Sequence, residues 1–135
     1  MVGLDEIYDI DVDIYAPCAL GATVNDDTLS RLKCSIIAGS ANNQLKDEDK
    51  HGKAVMEKGI IYAPDFAINS GGVINVYTEF KGLNPEWGMK KAEEIYTTIQ
   101  NIIQRSAKEN IPTYQIANRI AEERIMAVGS VKLPM

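Results

Sequence analysis

Two adjacent side-chain amides, Asn42 and Asn43, follow a short apolar run that breaks off at Gly39 and Ser40, in the stretch IIAGSANNQL over 36–45. An amide carries an acceptor oxygen and two donor hydrogens, so a pair at the end of a strand can orient a polar ligand. Ile36, Ile37 and Ala38, apolar without alternation, suit a parallel strand covered on both faces. The carboxyl ends of such strands are where doubly wound sheets hold their ligands. The competing use is local: Asn after a strand commonly caps the next helix or makes a turn. Both readings stand on these residues alone.

Other reactive side chains are sparse. His51, the single histidine, lies in the charged stretch DEDKHGKA, which predicts a helix with the ring on its solvated surface. Cys18, in the turn Pro17 to Gly21, has no neighbouring His or acid to activate it as a nucleophile. Asp11 and Asp13 stand two apart, as a phosphoacceptor or Mg²⁺ pair would; alternation along one strand face accounts for them more simply. Cys18 and Cys34 are too few for a disulfide framework and, with one His, do not make a zinc shell. No metal site is expected.

The elements that must position these residues are legible from patterning. Asp11–Ala16 reads as a strand stopped by Pro17, Cys34–Ala38 as a second, and Gly59–Ala63 as a third halted by Pro64. Asn25 or Asp26 can cap a short helix over 27–32, and a polar helix over 47–58 is closed by Gly59. Strands separated by helical connections predict a parallel sheet, here three strands of a Rossmann-like doubly wound fold. No G-x-G-x-x-G follows any strand. Over 66–80, Ile68, Val73, Val76 and Phe80 fall at near-helical spacing, interrupted by Ser70-Gly71-Gly72. Each helical Gly costs about 1 kcal/mol against Ala, so the pair serves either close approach of a ligand or backbone, or tight helix packing. Pro85 opens a long amphipathic helix striped by Ala92, Ile95, Tyr96, Ile99, Ile102 and Ile103. After Asn110, Pro112 and Thr113 begin a last helix with Tyr114, Ala117, Ile120, Ala121 and Ile125 inward, and the tail GSVKLPM is expected to be loose.

At 135 residues, with 45% hydrophobic and 24% charged residues, the chain is one domain's worth of folded protein. A net charge of -5 argues against a nucleic-acid or anionic-membrane surface. The start, MVGLDEIYDIDVDIY, shows neither a basic leader nor an apolar core, and the expected location is cytoplasmic.

Taken together, DIYAPCALGATVND at 13–26, IAGSANNQL at 37–45, HG at 51–52, IIYAPDFAINSGGVINV at 60–76 and AEERI at 121–125 resemble the amino-acid dehydrogenase family of the glutamate, leucine, phenylalanine and valine enzymes. Within it, these stretches resemble the leucine branch. The resemblance implies oxidative deamination of a branched-chain L-amino acid to its 2-oxo acid and ammonia, with NAD taking the hydride. It implies that Cys18, Ala19, Ser40, Ala41 and Asn42 lie along the dinucleotide. Asn69 would help hold the substrate, and Val73 and Val76 would line its side-chain pocket. Valines suit an aliphatic group, at about 0.8 kcal/mol per buried methylene.

The resemblance covers only the carboxyl-terminal portion of that family: residues 11–64 match the second half of the NAD-binding domain, and 65–128 a helical segment that would pack toward a substrate domain. The catalytic lysines and aspartate, the first βαβ unit and its glycine-rich loop have no counterpart here. The chain alone is expected to be inactive, with weak or absent NAD binding. The strand at 11–16 would lack its central neighbour, and an open edge recruits other chains. A homo-oligomer, or association through that edge, is therefore expected. The alternatives to a dehydrogenase part are a non-catalytic dimerisation or interaction module and a truncated gene product.

Overall fold

The computed structural model describes residues 2–130. Three strands, β1 (Ile14–Tyr15), β2 (Ile36–Ile37) and β3 (Ile61–Tyr62), form one parallel sheet in the order β1-β2-β3. Ile14, Ile36 and Ile61 are in register on one face, and Tyr15, Ile37 and Tyr62 on the other. All three strands are shorter than the sequence predicts. Pro17 and Pro64 end two of them, and beyond Ala38 the backbone turns aside into loop contacts.

The connections are α1 (Asp26–Arg31) and α2 (Glu48–Glu57). Asn25 caps α1, its side chain accepting from the N–H groups of Asp27 and Thr28, while the Thr28 hydroxyl accepts from Asn25 N. Asp47 caps α2 through the N–H of Lys50, and Gly59, at φ +72°, allows the left-handed exit. Leu29, Leu32 and Val55 pack on Tyr15, Ile37 and Tyr62, together with Val24, Cys34, Leu45 and Ile60. Each such side chain, fully buried, contributes about 1.5–3 kcal/mol. The opposite sheet face is thinly covered: Ile14 is 54% and Ile61 42% exposed.

His51 corrects an expectation. It is 2% exposed, because the inward side of α2 is His51, Gly52 and Val55, a stripe hidden in sequence by its charged neighbours. The ring closes the helix start, with Nδ1 3.0 Å from Asp47 N. Nδ1 also stands 3.1 Å from Asp47 O, and Nε2 lies 3.4 Å from Asp26 Oδ1 with no hydrogen-bond partner among the described residues.

After β3 come α3 (Asp65–Ile68), α4 (Gly71–Phe80), α5 (Pro85–Glu109) and α6 (Thr113–Gly129). Asn84 caps α5 by accepting from Trp87 N, Pro85 takes its first turn, and Asn110, at φ +56°, ends it. Ile102, Ile116 and Ala117 form a second core, with Ala67, Ile99, Ile111 and Ile120 against it. Three residues placed on inward stripes are not inside: Tyr96 on α5, and Ala121 and Ile125 on α6, are exposed. The α5–α6 contact is narrow and centres on Ile102 and Ile116, so residues at the margin of each stripe fall outside it. Of the tail GSVKLPM, 131–135 lie outside the described residues, while Gly129 closes α6.

A short 3₁₀ turn, Glu6–Asp9, precedes β1. No pattern in the sequence announces it. Arg31 holds it by ion pairs to Asp5 at 3.0 Å and Asp9 at 2.7 Å, and its guanidinium lies over the Tyr8 ring. No helix among the described residues is long and apolar enough to cross a membrane.

Candidate functional site

The loops leaving β1 and β2 interlock at the carboxyl edge of the sheet. Gly39 sits so close to Pro17 that an added Cβ would stand 2.1 Å from the proline carbonyl oxygen, and one on Gly21 would stand 2.7 Å from Asn42 O. Both glycines are therefore required by backbone contact. Across this seam Ala41 N donates to Pro17 O at 2.9 Å, Ala22 N to Asn43 O at 2.7 Å and Val24 N to Gln44 O at 3.0 Å. Lys46 N returns to Val24 O at 3.0 Å. Asn43 takes φ +52°, a conformation Asn tolerates better than other non-Gly residues.

Neither Asn42 nor Asn43 caps α2, since Asp47 does; Asn43 serves the turn, and the Asn42 side chain points elsewhere. The Nδ2 of Asn69 donates to Asn42 Oδ1 at 2.5 Å and to Ser40 O at 3.4 Å. The two residues stand 27 positions apart, one after β2 and the other ending α3. Among the described residues no hydrogen bond engages Asn42 Nδ2 or Asn69 Oδ1. The pair therefore offers an amine donor from Asn42 beside a carbonyl acceptor from Asn69, the complement of a ligand with an acceptor next to a donor.

Cys18, Ala19 and Ser40 are exposed at the same edge, while Ala41 is buried. Ser40, through its hydroxyl and then its backbone, holds the Cys18 thiol below its ordinary pKa range. Burial pushes the Cys34 thiol the other way. Val73 and Val76 lie on α4, which starts two residues after Asn69, and are 74% and 64% exposed. With Tyr77 and Phe80 they form an outward apolar stripe. A Cβ at Gly71 or Gly72 would meet nothing within 4 Å, so tight helix packing within this chain is not what these glycines serve. Both fall in the first turn of α4, and open space lies above them.

Sequence reasoning passed over Gln44 and Asp65. Gln44 is fully buried and Asp65 nearly so, and Gln44 N donates to Asp65 Oδ2 at 2.8 Å. The available signal was a polar Gln between two loop amides and Leu45, and an Asp directly after the Pro64 that stops β3.

Three parallel strands in sequential order, with interlocked loops and convergent polar groups at their carboxyl edge, define part of a Rossmann-like α/β protein. The family model described as Glutamate/Leucine/Phenylalanine/Valine dehydrogenase matches residues 1–133, and the chain belongs to that family. It is 58% identical over 121 residues to leucine dehydrogenase of Thermoactinomyces intermedius, covering 90% of this chain and 33% of that protein. It is 57% identical over 124 residues to leucine dehydrogenase of Bacillus cereus, covering 92% of this chain and 34% of that one. The crystal structure of L-tryptophan dehydrogenase from Nostoc punctiforme superposes with a TM-score of 0.92 at 45% identity, over 96% of this chain and 39% of that chain. The chain thus spans about a third of the length of the curated relatives it matches.

Proposed function

We propose that this chain is the cofactor-side, carboxyl-terminal part of an NAD-dependent amino-acid dehydrogenase that oxidatively deaminates a branched-chain L-amino acid, leucine foremost. In the complete enzyme NAD accepts the hydride while the amino acid becomes its 2-oxo acid and ammonia. The observation that carries this reading is the hydrogen bond between Asn69 Nδ2 and Asn42 Oδ1 at 2.5 Å. It joins Asn42, which the family resemblance implies lies at the nicotinamide side of the cofactor, to Asn69, which it implies helps hold the substrate. Residues 11–64 are read as the second half of the cofactor domain and 65–128 as the segment facing the substrate domain.

The roles follow from the exposed groups. Asn42 Nδ2 donates to a carboxamide oxygen, Asn69 Oδ1 accepts from an amine, and Cys18, Ala19, Ser40 and Ala41 border the dinucleotide. The exposed Val73 and Val76 give an aliphatic side chain an apolar wall and offer a carboxylate no partner. No Lys or Asp joins the Asn42–Asn69 pair in these contacts. Proton transfer is accordingly assigned to residues outside this chain, and the chain alone is read as inactive, working in the cytoplasm as part of a larger assembly.

Calorimetric titration with NADH at several protein concentrations tests the cofactor role. Saturable one-to-one binding that is lost in Asn42→Ala supports it, and absence of binding removes it from the isolated chain. Turnover of L-leucine with NAD by the purified 135 residues would overturn the inactivity.

A second reading, a non-catalytic association module, is favoured by the exposed Ile14 and Ile61. Parallel sheets are ordinarily covered on both faces.

A further inference from the structure

Both halves of the amide pair hang on one buried carboxylate. Asp65 Oδ2 accepts the backbone N–H of Gln44 at 2.8 Å, and its Oδ1 accepts that of Phe66 at 2.6 Å. Its main-chain oxygen accepts the N–H of Asn69 at 2.9 Å. The side chain of Asp65 thus reaches the loop that bears Asn42, while its backbone sets the turn that ends in Asn69. Gln44 extends the tie. Its Nε2 donates to Gly39 O at 2.7 Å and Ala41 O at 3.0 Å, the carbonyls on either side of Ser40. Two carbonyl partners fix the amide's orientation, and Oε1 has no partner among the described residues.

We propose that Gln44 and Asp65 are positioning residues that hold the Asn42 loop and the Asn69 turn at the separation their shared hydrogen bond requires. The functional value of the device rests on the reading of this crevice as the meeting point of cofactor and substrate. Gln44 and Asp65 are buried beneath the exposed Asn42 and the half-buried Asn69, and act only through them.

A carboxylate is suited to this place because it accepts on both oxygens, so two backbone N–H groups are satisfied at once. An Asn of the same shape brings one acceptor and one amine. Either Gln44 N or Phe66 N must then lose its partner. The Tyr62 hydroxyl accepts from Asp65 N at 3.3 Å, and burial followed by the Asp65 charge pushes the Tyr62 phenol well above its ordinary range. Glu48 is pushed up by burial and then by the same charge.

The test is the ¹⁵N-resolved side-chain NH₂ signal of Asn69 in the 135-residue chain, assigned by its loss in Asn69→Asp. Asn42→Ala gives the position of a released Asn69 amide. Asp65→Asn and Gln44→Met are each expected to move the Asn69 signal toward that released position, while the backbone amides of α5 stay in place. An unmoved Asn69 signal in either variant, with the chain folded, overturns the proposal. Failure of both variants to fold also overturns it, since the two residues would then serve folding as a whole. A fold-wide loss of stability with Asn69 unmoved is what a merely structural role gives. The signal is read without nucleotide, so absence of NADH binding removes the cofactor reading and leaves this result standing. NADH binding that persists with Asn69 unmoved in Asp65→Asn removes the device alone.

Discussion

Tyr114 lies across Gly52: a Cβ built on Gly52 would stand 2.5 Å from Cδ1 and Cε1 of the ring. The phenol continues past the glycine to donate to Asp49 Oδ1 at 2.6 Å. This seats α6 on α2, and so joins the terminal helices to the sheet. Gly52→Ala forces the ring out of its place and is expected to cost about 1–3 kcal/mol, the usual penalty for overpacking. Tyr114→Phe keeps the packing and loses two hydrogen bonds, the one to Asp49 and the one accepted from Gln115 Nε2 at 2.7 Å, each about 0.5–1.5 kcal/mol. Urea unfolding followed by circular dichroism orders the two, and a Gly52→Ala chain as stable as the parent would contradict this seating.

The two thiols differ in a way that alkylation reads directly. Cys18 is exposed and held below its ordinary pKa by Ser40, whereas Cys34 is buried and pushed up. The thiolate is the reactive species, so iodoacetamide near neutral pH is expected to label Cys18 first and Cys34 only on unfolding. Ser40→Ala should slow Cys18 labelling. Peptide mass spectrometry over a time course decides it; equal rates at the two cysteines would contradict the exposure and the pKa directions together.

Asp26 gives the acid limb of stability. Lys50, 2.7 Å away, holds its carboxyl below the ordinary carboxylate range, and His51 adds to the effect. A depressed folded pKa means stabilisation that is present above the unfolded value, about 3.9, and lost as pH falls through the folded value. In Lys50→Met the Asp26 titration should move up toward that ordinary value. The stability difference from the parent should close below about pH 4. Carboxyl-carbon NMR titration measures the first, and an Asp26 midpoint unchanged in Lys50→Met would assign the depression to His51 instead.

How much of this was legible in the sequence follows from how local each cause is. The strand stops at Pro17 and Pro64, the Asn25 cap and the two helix stops at Gly59 and Asn110 rest on residues within a turn of the feature they control, so patterning reaches them. His51 failed because its burial depends on α2 resting over Asp26, some 25 residues earlier, and charged neighbours mask a narrow inward stripe. The Asn42–Asn69 contact and the Gln44–Asp65 tie join residues 27 and 21 positions apart. Periodicity carries no information about such pairs. The likeness to known dehydrogenases singled out Asn42 and Asn69 one by one, and only the fold shows that they touch. The Gly71–Gly72 pair was flagged by its helical cost, but that a Cβ there would meet nothing within 4 Å among the described residues is a fact of three dimensions.

The thinly covered sheet face leads to the remaining prediction. Ile14 on β1 and Ile61 on β3 share that face with Ile36, and β1 is an outer strand with no neighbour on its far side among the described residues. An apolar face beside an open strand edge favours pairing with another chain. Sedimentation velocity over a concentration series is expected to show self-association of the parent chain. Ile14→Lys and Ile61→Lys place charges on the face without touching the core formed by Tyr15, Ile37 and Tyr62, and each should shift the distribution toward monomer. If Ile61→Lys alone does so, the contact lies over the face near α5 and not along the β1 edge. Association unaltered by both substitutions would remove this surface, and with it the reading of the chain as an association module through the sheet.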